Sequence, residues 1–161
     1  MMQPPPLPPG KSVYQIGVVV ADLEAGMERY SRLFGLTGWK RMDTDYQARY
    51  RDWRGRIANR NAFAQWGAIH LEMIEPGIGE GNAKEWLRER GEGIFHIGIA
   101  TDDLDRDAEG TEIVFETDTR RPDGGRAIVH LDTVDSLGCF TELTYRPMAE
   151  RLAAWVATPE D

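Results

Sequence analysis

Four polar residues stand in stretches that otherwise read as strands: Gln15 in Tyr14-Gln15-Ile16-Gly17-Val18, Glu72 in Leu71-Glu72-Met73-Ile74, His96 in Phe95-His96-Ile97-Gly98-Ile99 and Glu142 in Thr141-Glu142-Leu143-Thr144. An amide oxygen, two carboxylates and an imidazole supply about four ligands for a divalent cation and leave room for water or substrate. Each alone has an ordinary explanation, a hydrogen-bonded strand histidine or a glutamate on a sheet rim. Together they suggest a metal site, because burying two carboxylates side by side is costly without a cation to neutralise them.

The case for convergence comes from an internal repeat. The segment from Tyr14 lies over the segment from Phe95 without a gap, and both run at the same distance into Asp-Leu, at Asp22-Leu23 and Asp103-Leu104. Each reads as a strand entering a helix whose first turn is capped by the aspartate. The halves also end alike, with one glutamate in a strand closed by Pro76 or Pro147. Gln15 therefore matches His96, and Glu72 matches Glu142. Strict alternation along a strand puts Gln15 with Gly17 and Val19, opposite Tyr14 and Ile16, and puts His70 on the face of Glu72.

The positioning elements follow from pattern. Leu23, Met27, Tyr30 and Phe34 form a helical stripe that Gly35 ends, followed by strands near 38–44, 60–66 and 67–75. Asn82 with Glu85 resembles a capping box for a connector helix over 82–91 that carries Trp86 and Leu87. Strands follow near 94–101, 112–116, 126–132 and 138–145, with barely one helical turn after Asp103 and a terminal helix carrying Met148, Leu152 and Trp155. The expected fold is α+β: two βαβββ modules, 13–76 and 94–147, forming a curled, half-open mixed sheet around a metal cavity. Residues 1–12, rich in proline, read as a disordered tail, and 148–161 as the C-terminal helix and tail.

Bulk properties narrow the function. A chain of 161 residues, 41% hydrophobic, buries one core, and 19 basic against 27 acidic residues, net −8, argue against nucleic acid as partner. A single cysteine, Cys139, closes no intramolecular disulfide and reads as buried and inert; no run of roughly 18 apolar residues is present, so a cytoplasmic, non-membrane protein is expected. Arg49, Arg51 and Arg54, with Arg56 and Arg60, concentrate positive charge where a loop could grip an anionic substrate through bidentate contacts. His130, on one strand face with Ile128 and Asp132, and His70 are further candidates for contact with the substrate.

These residues resemble a known family. Gln15-Ile16-Gly17 leading to Asp22-Leu23, Leu71-Glu72-Met73-Ile74-Glu75-Pro76, the run from Trp86 through Gly91-Glu92-Gly93-Ile94-Phe95-His96 to Ile99, and Leu131-Asp132-Thr133 with Gly138 to Leu143 are similar to the glyoxalase, bleomycin-resistance and dioxygenase (vicinal oxygen chelate) superfamily over about 13–147. The approach to His96 is especially similar to methylmalonyl-CoA epimerases, and the set Gln, Glu, His, Glu to glyoxalase I. The resemblance implies Gln15, Glu72, His96 and Glu142 as metal ligands, one zinc, nickel, cobalt, manganese or iron ion as cofactor, and Glu142 and Glu72 as the groups that move a proton. It implies an isomerase, epimerase or lyase acting beside a carbonyl or thioester of a small molecule. Repeats of this size often pair by two-fold symmetry, so a homodimer is expected. Epimerases and ring-cleaving dioxygenases have histidine where this chain has Gln15, which counts against the iron(II) dioxygenase alternative unless His70 substitutes. A non-catalytic protein that sequesters its ligand is the third reading.

Overall fold

The computed structural model describes residues 7–160. The first module comprises β1 (Ser12–Val19), α1 (Leu23–Phe34), β2 (Lys40–Arg41), β3 (Thr44–Tyr50), β4 (Trp53–Trp66) and β5 (Ile69–Ile78). The connector α2 (Asn82–Arg90) leads to the second: β6 (Gly93–Thr101), α3 (Leu104–Asp107), β7 (Ile113–Thr117), β8 (Ile128–Leu131), α4 (Val134–Leu137) and β9 (Phe140–Tyr145). The chain ends in α5 (Arg146–Ala157).

The curled mixed sheet of two βαβββ modules is present. Within a module the strand order is the same, β1-β5-β4-β3 and β6-β9-β8-β7, with the outer pairs β1–β5 and β6–β9 parallel. The modules meet along two seams. One is the antiparallel β1–β6 ladder; the other is a three-pair ladder of β3 and β7, Ala48 to Thr117, Arg49 to Glu116 and Tyr50 to Phe115. Eight strands thereby form a ring, and β2 adds two residues beside β4.

Local signals explain the helices. Asp22 accepts a hydrogen bond from the Ala25 amide at 2.8 Å, and Gly35, at φ 69°, closes α1 in the left-handed conformation that glycine adopts without penalty. α1 packs Leu23, Met27 and Tyr30 on the outer face of the first module against Leu71, Met73, Ala62 and Ala64. Phe34, at the end of the same stripe, is half exposed and stacks on Trp66. Its counterpart α3 is a single turn, as the sequence indicates, and seats only Leu104 on Val129, Leu131 and Leu143.

Three elements differ from the sequence reading. The capping box at α2 does not form: Gly81 is the N-cap, without a side-chain bond, because Asn82 turns inward to His130 and Glu85 bonds the Tyr50 hydroxyl. The arginine-rich stretch is the β3–β4 hairpin, not a loop. Arg54, Arg56, Ala58 and Arg60 alternate with Gly55, Ile57, Asn59 and Asn61, so the charges are the solvated outer row of a ring strand. The strand expected at 38–44 shrinks to β2 because Thr44, Tyr46, Ala48 and Tyr50 carry the alternation that β3 uses.

Part of the proline-rich tail, Met1–Pro6, lies outside the described residues. The rest is anchored: the Gly10 amide donates to Asp102, the Ser12 hydroxyl donates to the Pro8 carbonyl at 2.7 Å, and Leu7 packs near Tyr14 and Leu152. Among the described residues no helix is long and apolar enough to cross a membrane. α2 fills one end of the ring with Ala83 and Trp86 against Phe95, Phe140 and Tyr50, while α5 lies over the other end.

Leu71 is fully buried between β5 and α1. Leu71→Ala is expected to cost about 2–5 kcal/mol, read as a lower urea midpoint with an unchanged slope.

Candidate metal centre in the ring

The β1–β6 seam explains why the motif repeats as aromatic, ligand, isoleucine, glycine. Gln15 pairs with Gly98 and Gly17 pairs with His96 across the ladder. A Cβ on Gly17 would fall onto the His96 imidazole, and one on Gly98 would press on the Gln15 side chain. Each glycine thus clears space for the polar residue of the other module. The aromatic residue is in each case the extra residue of a β-bulge, Tyr14 between Val13 and Gln15, and Phe95 between Ile94 and His96. A bulge resets the alternation, so Tyr14 reaches the interior alongside Gln15, and Phe95 alongside His96, contrary to the strict two-residue reading.

The parallel ladders complete the symmetry. Gly17 pairs with Glu72 and Gly98 with Glu142, which confirms that the two glutamates occupy equivalent places. In β8 and β9, His130 pairs with Glu142, where the first module has Phe63 against Glu72. One half therefore carries an additional imidazole.

Two hydrogen-bonded groups meet in the site, with His96 and Glu142 facing each other across the gap. His96 Nε2 lies 2.8 Å from Gln15 Oε1. Gln15 Nε2 is 3.1 Å from Glu72 Oε2 and 3.0 Å from His70 Nε2. On the other side His130 Nε2 is 3.0 Å and His96 Nε2 3.5 Å from Glu142 Oε2, and the Tyr14 and Thr144 hydroxyls each lie 2.9 Å from Glu142 Oε1. Behind them Asn82 Nδ2 sits 2.7 Å from His130 Nδ1.

Ligand atoms of His96, His130 and Glu142 all fall within 4.8 Å of one another. Gln15 adjoins this group through its oxygen. Glu72 stands one hydrogen bond behind Gln15, and His70 beside it. Thus Gln15, Glu72, His96 and Glu142 are brought to one region, but the tightest cluster includes His130 and leaves Glu72 outside. Arg49, Arg51 and Arg54 do not line the cavity; Arg49 pairs with Glu116 at 3.3 Å, Arg51 with Asp132 at 3.4 Å, and Arg54 is exposed on the outer face. Tyr14 and Asn82 escaped the sequence reading, the first through the bulge and the second because its position mimics a cap. Cys139 is buried away from this cluster, and burial raises its thiol pKa.

Burial sets the charges. It lowers His96 and His70 to about 4, in both cases against the pull of Glu142. It raises Glu72 to about 8, with the charge of Glu142 adding to the effect and the Gln15 hydrogen bond opposing it. Burial also works against ionisation of Glu142, but His96, His130 and the Tyr14 hydroxyl outweigh it and hold its carboxyl below the usual range. The result near neutrality is a buried carboxylate, Glu142, facing the neutral imidazole of His96, with no lysine or arginine bonded to it among the described residues. Two nitrogens, a carboxylate and an amide oxygen make a donor set that fits a divalent transition metal, which would supply the missing positive charge.

The sequence pattern of the Glyoxalase/Bleomycin resistance protein/Dioxygenase superfamily matches residues 14–112. The chain belongs to that superfamily. Its similar solved structures include a methylmalonyl-CoA epimerase from Streptomyces coelicolor in complex with 2-nitronate-propionyl-CoA, 27% identical, covering 83% of this chain and 95% of that one, with a TM-score of 0.58. Another is methylmalonyl-CoA epimerase from Mycobacterium tuberculosis, 25% identical over 88% of this chain and 91% of that one, also at TM-score 0.58. No curated protein matches the chain.

Two outcomes follow. Gly17→Ala is expected to displace the His96 ring and weaken binding of zinc or cobalt at least tenfold in calorimetry, with the far-UV spectrum retained. In the metal-free protein, the histidines favour folding above about pH 6.5, and that contribution is lost as pH falls toward 4. Glu72 favours folding below about pH 4.5, and its contribution is lost as pH rises through about 8. The urea midpoint should therefore peak near neutrality, and Glu72→Gln should flatten the alkaline limb while leaving the acid limb in place.

Proposed function

We propose that this protein is a metal-dependent epimerase or isomerase that moves a proton at the carbon next to the carbonyl of a small acyl compound, a thioester being the favoured class. The observation that carries this reading is the convergence of His96, His130, Glu142 and the Gln15 oxygen at one side of a cavity of about 490 Å³. Likeness to methylmalonyl-CoA epimerases at 25–27% identity supports it.

His96, His130 and Glu142 would hold the ion, with Gln15 beside them. Zinc, nickel, cobalt, manganese and iron all accept such donors. When bound, the ion polarises the substrate oxygens as a Lewis acid and favours charge developing on them. Glu142 is better suited to ligation than to proton transfer, since both of its oxygens are already engaged by Tyr14, Thr144 and His130. Glu72 lines the cavity, and its one side-chain bond is to Gln15, so it is the proposed proton carrier. Asn82 orients the His130 ring, and its amide carries both a donor and an acceptor, so it can serve either tautomer. The inward apolar side chains Tyr46, Phe63, Phe95 and Phe115 keep bulk water from the reacting carbon.

A specific observation favours a second reading. Two histidines and one carboxylate, brought together here through His130, form the donor set of iron(II) oxygenases. Proton exchange separates the two. Zinc- or cobalt-loaded protein incubated with methylmalonyl-CoA in deuterated water should place deuterium on the carbon between the carbonyls. Glu72→Gln should slow this at least a hundredfold with metal content unchanged, whereas Glu142→Gln should lose the metal. Absence of exchange together with oxygen uptake by the iron-loaded protein on catechols would replace the first reading with the second.

A further inference from the structure

The cavity has a second polar region that the metal centre does not use. β7 and β9 are both antiparallel to β8, and β4 runs in the same direction as β7 because both are antiparallel to β3. The C-terminal ends of β4, β7 and β9 and the start of β3 therefore lie together at one end of the ring. α5 leaves β9 at this end. The inward residues there that make no bond to the metal centre are Thr44, Asn61 and Thr117, where the middle of the ring carries Tyr46, Ile57 and Phe115.

Two of these residues are left with unmet bonding capacity. Asn61 is 3% exposed and Thr117 is 5% exposed; Asn61 Oδ1 and Thr117 Oγ1 are buried without a partner. Leaving a buried polar atom unsatisfied is costly, because it has given up its bonds to water for nothing. Two such atoms on residues that line one cavity, from β4 and β7 on either side of β3, indicate a surface built to meet something else. The Asn61 amide already uses Nδ2 on the Thr44 hydroxyl at 3.2 Å; rotated by half a turn it would accept from that hydroxyl and offer its NH₂ to the cavity.

The same end carries a cation. Arg151 of α5 lines the cavity and is itself exposed, so it stands where the cavity opens to solvent. Its neighbour Glu150 is taken by Arg146 at 3.7 Å, and among the described residues Arg151 makes no ion pair. The other cation in the wall, Lys84, already faces Glu80 at 3.7 Å. In a chain of net charge −8, Arg151 is, among the described residues, the one arginine that lines the cavity, while Arg49, Arg56 and Arg60 of the ring strands are each paired with an acidic partner outside it.

We propose that Arg151, Thr117 and Asn61 form an anion subsite that holds a carboxylate or phosphate at the far end of the substrate, while its carbonyl end faces His96, His130 and Glu142. The part of the substrate inside the ring then has a chelating head, an apolar middle matched to Tyr46, Ile57 and Phe115, and an anionic tail. This rests on the metal-chelate reading of the preceding subsection. It also moves the anion contact from the outward arginines of the β3–β4 hairpin to α5.

Matched hydroxamates test it, since each presents two adjacent oxygens to a metal. Hexanohydroxamic acid, the monohydroxamate of adipic acid and the corresponding ω-phosphonate are titrated calorimetrically into zinc-loaded protein. At least one anionic probe should bind ten or more times tighter than the neutral one, and the better of the two names the tail. Arg151→Gln should abolish that advantage and leave the neutral probe within about twofold, which also shows the fold intact; Thr117→Val should reduce the advantage severalfold. Equal binding of all three probes, or an advantage that survives Arg151→Gln, would overturn the subsite and leave the metal site standing. If no hydroxamate binds although zinc is retained, the chelate reading fails instead. Hexanoate against hexanamide, followed by NMR at Thr117 and the Arg151 Nε, then decides the subsite without any chelating group: selective shifts by hexanoate support it, and equal or absent shifts overturn it.

Discussion

Everything in this molecule depends on the crossing of two strands that share a sequence pattern. At the β1–β6 seam each module lends the other a glycine, Gly17 under His96 and Gly98 under Gln15, and without these gaps neither polar side chain fits between the ladders. The bulges at Tyr14 and Phe95 belong to the same constraint. They turn a second residue inward beside each of the two, so the Tyr14 hydroxyl reaches Glu142 and the Phe95 ring packs edge-on at 4.7 Å from the His96 ring. The seam is at once the joint between the modules and the floor of the site, so folding and chemistry cannot be separated there.

Much of this was legible in the sequence because duplication writes the same message twice. The gapless overlay of Tyr14–Asp22 and Phe95–Asp103 was enough to pair Gln15 with His96 and Glu72 with Glu142, and the ladder registers bear that pairing out. The helix boundaries at Asp22, Gly35 and Asp103 were readable for the same reason that they form, a cap whose side chain or backbone freedom has few alternatives. What escaped was whatever broke a local rule. Period-two reasoning has no means of sensing a bulge, and it placed Tyr14 on the wrong side. Asn82 and Glu85 satisfy the spacing of a capping box, yet tertiary partners bid for both side chains and won. The arginines of the hairpin looked like a binding loop only until their alternation with inward residues was seen in three dimensions.

The interior is finished by elements outside the repeat. α2 brings Asn82 to His130, and α5 lays Met148, Arg151, Leu152 and Trp155 over the opposite end. α5 is fixed at both of its ends: Arg146 bonds Asp102 and the Gly10 carbonyl, while Lys40 donates to the carbonyls of Trp155 and Thr158 at 2.7 and 3.0 Å. The modules supply the cluster, and the added helices supply its enclosure.

The duplication is imperfect at one telling place. Where β4 offers Phe63 to Glu72, β8 offers His130 to Glu142, and where β1 holds an amide, β6 holds an imidazole. A pocket with true twofold character would accept a guest in two equivalent poses related by the dyad. Here the halves differ in basicity, polarity and bulk, so only one pose finds complementary groups on both flanks. Any pocket of L-residues is handed, with or without a dyad; what the divergence of the copies adds is direction, a single way round for whatever enters.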